Sequence, residues 1–283
     1  MSSETGQKMK FSEKYDLKPK KYLGQNFLKD ASVLEDIIEA SELKKDDTVL
    51  EIGPGFGVLT AELAKRVSKV IAVEKDKRLI EILKKKLSGF NNVQIIEGDI
   101  LKLTTNDFKI PTPSTLSATR YKVVANLPYY ITSPVIRKFL EEKNPPTLMV
   151  LMVQKEVAER ICAKPPEMSL LSVAVQFYSQ PKIVRIVKKD SFWPTPKVDS
   201  AIIKLTINSQ QKTEVVNANV FFKIVKTGFS QPRKQLKNNF KKMFGERSEK
   251  ILEGAGIEGN HRAETLSVDE WIKICLTLQN SLK

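Results

Sequence analysis

Five short apolar runs, separated by more polar stretches, occupy residues 48–153, and their order constrains the fold more tightly than any other feature of the chain. They are Thr48-Val49-Leu50-Glu51-Ile52, Val70-Ile71-Ala72-Val73-Glu74, Val93-Gln94-Ile95-Ile96-Glu97, Tyr121 to Ala125, and Leu148 to Val153. Their length and β-branched character read as buried strands. Between them the apolar residues fall at helical spacing, over Leu59 to Val67 and Arg78 to Leu87. A further helix is predicted to run to Glu142, capped by Ser133 with Pro134 in its first turn. Helices are also predicted over 30–40, Lys155 to Cys162 and Leu170 to Tyr178. Strand and helix in alternation predict an α/β fold with a doubly wound, Rossmann-like, mostly parallel sheet.

The pattern then changes. Ile183 to Val187 and Ala201 to Ile207 read as strands with no helix between them, which predicts an antiparallel pair. Beyond Asn208 only helical patterns remain: Val220 to Phe229, Arg233 to Phe244 and Ser248 to Glu253. Ser267-Val268-Asp269-Glu270 has the form of a capping box and opens a last helix through Leu278. The expected organisation is a flexible polar tail over 1–19, an α/β catalytic domain over 20–209 and a small all-α domain over 210–283. The boundary is placed near Ser209-Gln210-Gln211.

With 283 residues the chain is long enough for two cored domains. No apolar run approaches the 18 or so residues of a membrane helix, and the N-terminus lacks the apolar stretch of a secretory signal. Cys162 and Cys275 lie far apart in helical patterns and read as reduced core thiols of a cytoplasmic protein. A single histidine, His261, and no clustered cysteines argue against a metal site or a histidine-based triad. The net charge of +14 is concentrated: from Phe221 to Gly245 seven basic residues stand with no acidic one. That run favours a polyanionic partner, nucleic acid, over a solvated face.

Chemistry is suggested where the strands end. Glu51-Ile52-Gly53-Pro54-Gly55-Phe56-Gly57 leads from the first strand into a helix, and Gly53 and Gly55 let backbone and ligand approach closely. Glu74 ends the second strand about 20 residues on, where a carboxylate would grip ribose hydroxyls. Asp99, after the third strand, could accept from an exocyclic amine. A dinucleotide is the competing ligand. The spacing is E-x-G-x-G-x-G, however, and Pro54 removes an N–H that a pyrophosphate would want, which favours S-adenosylmethionine. After the fourth strand, Asn126-Leu127-Pro128-Tyr129-Tyr130-Ile131-Thr132 sets a planar amide and a carbonyl beside an aromatic ring at the sheet's ligand edge.

From about Lys20 to Leu278 the chain resembles the KsgA family of small-subunit rRNA adenine dimethyltransferases. The resemblance rests on Tyr22-Leu23-Gly24-Gln25-Asn26-Phe27-Leu28, the glycine loop, Asn126 to Thr132 and Gln154-Lys155-Glu156-Val157-Ala158. Phe192 to Ser200 and Pro232-Arg233-Lys234-Gln235-Leu236 also match. It implies a methyltransferase sheet that contacts S-adenosylmethionine through Asn26, Leu28, Gly53, Glu74, Asp99 and Asn126. The implied product is a pair of dimethylated adenosines near the 3′ end of small-subunit rRNA, made by a monomer acting on a pre-ribosomal particle. Met168-Ser169 replaces the family's usual Tyr-Gly pair, and Phe192-Trp193-Pro194-Thr195-Pro196 lacks a usual third proline.

In that setting the Asn126 side-chain oxygen and the Pro128 carbonyl would accept the two hydrogens of an adenine N6. Tyr129 would stack on the base, and Phe192 could close its other face. The expected RNA contacts are Arg233, Lys234 and Lys237, taken to share one helix face. A large-subunit rRNA dimethyltransferase of the macrolide-resistance type is the enzymatic alternative. A non-catalytic ribosome-assembly or transcription factor on the same fold is the alternative of another class.

Overall fold

A computed structural model describes residues 17–108, 110, 121–208 and 215–280. The boundary expected at Ser209-Gln210-Gln211, and residues 1–16 of the expected tail, lie outside the described residues. In chain order the elements are β1 (Phe27–Leu28), α1 (Ala31–Ala40), β2 (Thr48–Ile52), α2 (Val58–Ala64), β3 (Lys69–Glu74), α3 (Lys77–Lys86) and β4 (Val93–Glu97). Next come β5 (Tyr121–Asn126), α4 (Thr132–Leu140), β6 (Leu148–Gln154), α5 (Lys155–Cys162), α6 (Leu170–Tyr178), β7 (Ser179–Val187), β8 (Phe192–Trp193) and β9 (Ser200–Ile207). The rest is helical: α7 (Ala218–Gly228), α8 (Leu236–Phe244), α9 (Ser248–Gly254) and α10 (Val268–Asn280).

Seven strands form one sheet in the order β4-β3-β2-β5-β6-β9-β7. The pairings β3–β4, β2–β3, β2–β5 and β5–β6 are parallel. From β2 the chain steps to β3 and then β4, and afterwards returns across β2 to lay down β5. The direction of winding therefore reverses at β2 and β5, and the crevice beyond their carboxyl ends is where an open α/β sheet binds its ligand. Every residue of β2 is buried, as is all of β3 and β5 but one terminal residue each. β4, at the sheet edge, is only half-buried. The core around the sheet joins Val33 and Ile37 of α1, Leu59 and Leu63 of α2, and Val49, Val70, Val124 and Val150 of the strands.

The chain divides into two compact units, residues 1–155 with 183–205, and residues 156–182 with 206–283. The single crossing expected near 209 thus misses the segment 156–182, which groups with the C-terminal helices. Aromatic packing explains that grouping. Phe177 on α6 stacks on Phe221 of α7 with ring centroids 4.1 Å apart, and Trp271 of α10 packs against Phe229 and Phe240. The predicted capping box is present: Ser267 N donates to Glu270 Oε2 over 2.7 Å, and Glu270 N donates to Ser267 Oγ over 3.3 Å.

Several local expectations change. Helix α4 begins at Thr132, two residues early, because a 3-10 turn over Tyr129–Ile131 feeds it directly and Ile131 holds the cap position. Helix α8 begins at Leu236 rather than at 233. Lys234 N closes a turn onto Gln231 O instead, and Pro232 has no N–H to donate. Leu17, placed in the flexible tail by composition, is buried with Phe27, Phe56 and Leu79. The small antiparallel pairing of β1 with β8 carries no sequence signal of its own, since each strand has two residues. Among the described residues no helix is long and apolar enough to cross a membrane.

Candidate active site

At the carboxyl ends of β2, β3 and β5 the first unit opens a cavity whose lining includes Asn26, Leu28, Gly53, Gly55, Glu74, Asp99, Asn126 and Pro128. All the residues expected to contact a cofactor are thereby brought together. The floor is the glycine turn. Gly53, Gly55 and Gly57 all take positive φ, and a Cβ on Gly55 would stand 3.0 Å from the Phe27 ring, so that position requires glycine both sterically and conformationally. The Gly55 N–H, freed by this turn, donates to Glu74 Oε2 over 3.2 Å. Glu74 Oε1 accepts from the N–H groups of Lys75 and Asp76, each over 2.8 Å. Burial raises the Glu74 pKa against the pull of those three donors.

Glu51, read from sequence only as part of the glycine motif, lines the same cavity. Its side chain is buried, and Oε2 has no hydrogen-bond partner. Burial, opposed by the Thr60 hydroxyl beside it and helped by the nearby Glu74 charge, pushes its pKa up to about 8. A buried carboxyl with an unpaired oxygen is costly unless a ligand or a proton satisfies it. Asp99 is the opposite case. Its Oδ2 pairs with Lys75 Nζ at 2.9 Å and its Oδ1 accepts from Leu101 N at 3.0 Å; the bond to Lys75 chiefly holds it ionised, below the usual carboxylate range.

The wall opposite the sheet comes from the segment between Leu23 and Ala31. Asn126 Nδ2 donates to the Asn26 carbonyl over 2.9 Å, which turns the Asn126 Oδ1 acceptor away from that bond. The Pro128 carbonyl accepts from Ile131 N over 3.1 Å and keeps a second lone pair. Tyr129 does not line the cavity; it is half-buried, with its hydroxyl 2.7 Å from Ser200 Oγ.

Sequence reasoning misses Asp76, which looks like one more charge in Lys75-Asp76-Lys77-Arg78. Its side chain is wholly buried and caps α3. Oδ2 accepts from Gln25 Nε2 at 2.9 Å and from Arg78 Nη2 at 2.7 Å, while Lys20 Nζ lies 3.2 Å from Oδ1. Burial opposes ionisation here, but the donors from Arg78, Gln25 and Lys20 overcome it and hold the carboxyl well below its ordinary range. The residue ties the Lys20–Leu28 segment to the end of β3.

Two expectations fail. Phe192 is 1% exposed, paired in β8 with Leu28 of β1 and packed into the core, so it cannot close over a base. Its apolar ring gains more from burial beneath the short ribbon than a solvent-facing site would allow. Arg233 and Lys234 do not share a helix face with Lys237, because both precede α8. They are exposed in the second unit, whereas Lys237 is half-buried with its amine 3.4 Å from Glu249.

The match to known proteins covers nearly all of the chain. The family model described as ribosomal RNA adenine dimethylase matches residues 16–280. A relative from Dehalococcoides mccartyi, named ribosomal RNA small subunit methyltransferase A, is 47% identical over 270 residues, covering 93% of this chain and 90% of its own. A protein of the same name from Clostridium botulinum is 46% identical, covering 92% and 94%. Among solved structures, a dimethyladenosine transferase from Plasmodium falciparum superposes with a TM-score of 0.77 at 29% identity, over 90% of this chain and 98% of that one. The 23S rRNA methyltransferase ErmE gives 0.73 at 28%, over 90% and 100%. With its glycine turn, strand-end carboxylates and Asn126-Leu127-Pro128-Tyr129 edge inside that full-length match, the chain belongs to the ribosomal RNA adenine dimethylase family.

Proposed function

We propose that the protein uses S-adenosylmethionine to dimethylate N6 of two adjacent adenosines near the 3′ end of small-subunit rRNA, within a pre-ribosomal particle. Supporting the chemistry is the bond from Asn126 Nδ2 to the Asn26 carbonyl, which leaves Asn126 Oδ1 to accept, in a cavity that Pro128 also lines. An adenine N6 is a weak nucleophile because its lone pair is delocalised into the ring. Two acceptors that draw its hydrogens out of the ring plane localise that pair and are preorganised for the positive charge that develops on nitrogen. Tyr129, its hydroxyl held by Ser200, offers the ring on which the base stacks.

The residues present fit the cofactor. Glu51 Oε2 is a buried acceptor lacking a donor, suited to the α-ammonium. Glu74 would hold the ribose hydroxyls with lone pairs beyond those used by the three backbone donors, Asp99 would accept from the adenine amine, and Gly53 and Gly55 would allow the close approach of the chain. When bound, S-adenosylmethionine supplies an electrophilic methyl on a sulfonium. Positioning amine and methyl in line is a proximity effect that in good cases lowers a barrier by roughly 7–11 kcal/mol. The methylated ammonium is acidic and loses its proton to water, so no side-chain base is assigned.

The small-subunit assignment rests on the names of the relatives at 46–47% identity, against 28% for the 23S enzyme. Mapping dimethyladenosine in rRNA from cells with and without the protein tests it. Loss of adjacent dimethyladenosines from the small-subunit rRNA alone is expected. Loss from large-subunit rRNA would transfer the assignment, and no loss anywhere would remove the activity.

A further inference from the structure

Tyr22 and Tyr130 are the most exposed large apolar side chains among the described residues, at 73% and 55%. Tyr22 lies on the 3-10 turn Lys21–Leu23, which ends at Gly24 in a left-handed conformation. A Cβ on Gly24 would be 3.4 Å from the Tyr130 ring, so Tyr130 packs beside the end of the turn that carries Tyr22. Tyr130 also lines the mouth of the cofactor cavity, whereas Tyr22 does not. The Lys20 ammonium sits 5.8 Å from the centre of the Tyr22 ring. The Lys75 amine is held above its usual range, chiefly by Asp99 and in part by the Tyr130 and Tyr22 phenols, so both rings lie within Coulombic reach of it.

Scattered exposed tyrosines need no explanation. These are not scattered, and neither hydroxyl takes part in a hydrogen bond among the described residues, unlike Tyr121 and Tyr129, which bond to Asn144 O and Ser200 Oγ. The nearby carboxylates, buried Asp76 and half-buried Asp99, pair with three cations, Lys20, Arg78 and Lys75. Aromatic plates edged by cations and open to solvent are what single-stranded nucleic acid binds, its bases stacking on the rings and its phosphates on the charges.

We propose that Tyr22 and Tyr130 form a second base-stacking site, which holds an unpaired nucleotide beside the target adenosine while that adenosine lies on Tyr129. The site rests on the rRNA dimethyltransferase reading, because extruding one base of an adjacent pair unstacks its neighbour and leaves an exposed purine face to be held. Lys20 and Lys75, each already paired with a carboxylate, add only a partly neutralised positive edge to it, so stacking on the rings supplies most of the binding.

The test is steady-state methylation of small ribosomal subunits lacking the modification, with Tyr22→Ala and Tyr22→Phe. Tyr22 is exposed and outside the cofactor cavity, so both variants are expected to fold and to bind S-adenosylmethionine like the wild type by calorimetry. Tyr22→Ala should raise KM for the particle about tenfold with kcat little changed, in line with the loss of one base–aromatic stack. Tyr22→Phe, which keeps the ring, should restore it. An unchanged KM in Tyr22→Ala, an equal defect in Tyr22→Phe, or a matching loss of cofactor affinity would each overturn the stacking site. Failure of the wild-type protein to methylate the particle would instead overturn the activity on which it rests.

Discussion

Glu51 and Glu74 line one cavity under opposite arrangements of donors, and each leads to a measurable consequence. The Glu51 carboxyl, with a pKa pushed up to about 8 by burial, is protonated at neutral pH in the free protein. An ammonium placed against its bare oxygen would ionise it, so cofactor binding at pH 7 should release a proton. Calorimetry in buffers of different ionisation heat reads that release directly. The release should disappear above pH 8 and in Glu51→Gln; its absence from the wild type at pH 7 would remove Glu51 from the ammonium site. Linkage has the same origin. A carboxyl whose folded pKa lies above the ordinary 4.5 costs stability as pH rises from 4.5 through 8, because only the unfolded chain ionises freely there. The fall in apo-protein stability over that window should be flatter in Glu51→Gln. Glu74→Ala should weaken S-adenosylmethionine binding by roughly 1.5–3 kcal/mol for each hydrogen bond to ribose that it removes. An unchanged affinity in a folded variant would place the ribose elsewhere.

The segment from Lys20 to Leu28 has no regular element beyond a 3-10 turn and a two-residue strand, yet it supplies the Asn26 carbonyl to the Asn126 amide and a wall to the cavity. What fixes it is Asp76, through Lys20 and Gln25. Asp76→Ala should therefore raise the KM for S-adenosylmethionine while changing kcat at saturation much less, and hydrogen exchange at residues 20–28 should accelerate. A fall in kcat with cofactor KM unchanged would contradict this positioning role. Because its pKa is depressed in the folded protein, the stability Asp76 contributes is in place above the ordinary carboxylate range and is lost as pH falls through and below it. Sequence periodicity cannot show any of this. It identifies β2, β3, β5 and β6 because buried parallel strands are continuous apolar runs, and it identifies Glu74 and Asp99 because strand ends are where ligands bind. Asp76 acts across 51 residues on Gln25, a pairing that leaves no local trace. Phe192 misleads for a related reason: a ring beside Trp193 and Pro194 looks like an exposed loop until β8 pairs with β1 and buries it.

The whole molecule carries its net charge of +14 unevenly, and the run from Lys223 to Lys242 holds seven basic residues and no acidic one. Composition identifies that run but not its working geometry. Helical phase does not extend to Arg233 and Lys234, which Pro232 and the turn at Gln231 keep out of α8. Lys237 and Lys241 sit 3.4 and 3.3 Å from Glu249 and Glu246, so their charges are partly neutralised within the unit. Arg233 and Lys234 are exposed and precede the helix, which makes them the pair best placed to meet phosphate. Reversing both should lower the salt dependence of particle binding by about one power of salt concentration for each phosphate that is no longer neutralised. Cofactor affinity should be untouched, since all cavity residues belong to the other unit. A double variant with the wild-type salt slope would mean that the RNA is read elsewhere.

Asn126 is assigned to the reacting nitrogen and not merely to holding RNA. Single-turnover methyl transfer by Asn126→Ala, measured beside its equilibrium affinity for unmethylated small subunits, tests that most directly. The rate should fall by about 100-fold or more, the scale on which removal of one preorganised hydrogen-bonding group acts, while particle affinity stays near that of the wild type. A near-normal rate, or a loss of affinity as large as the loss of rate, would contradict it.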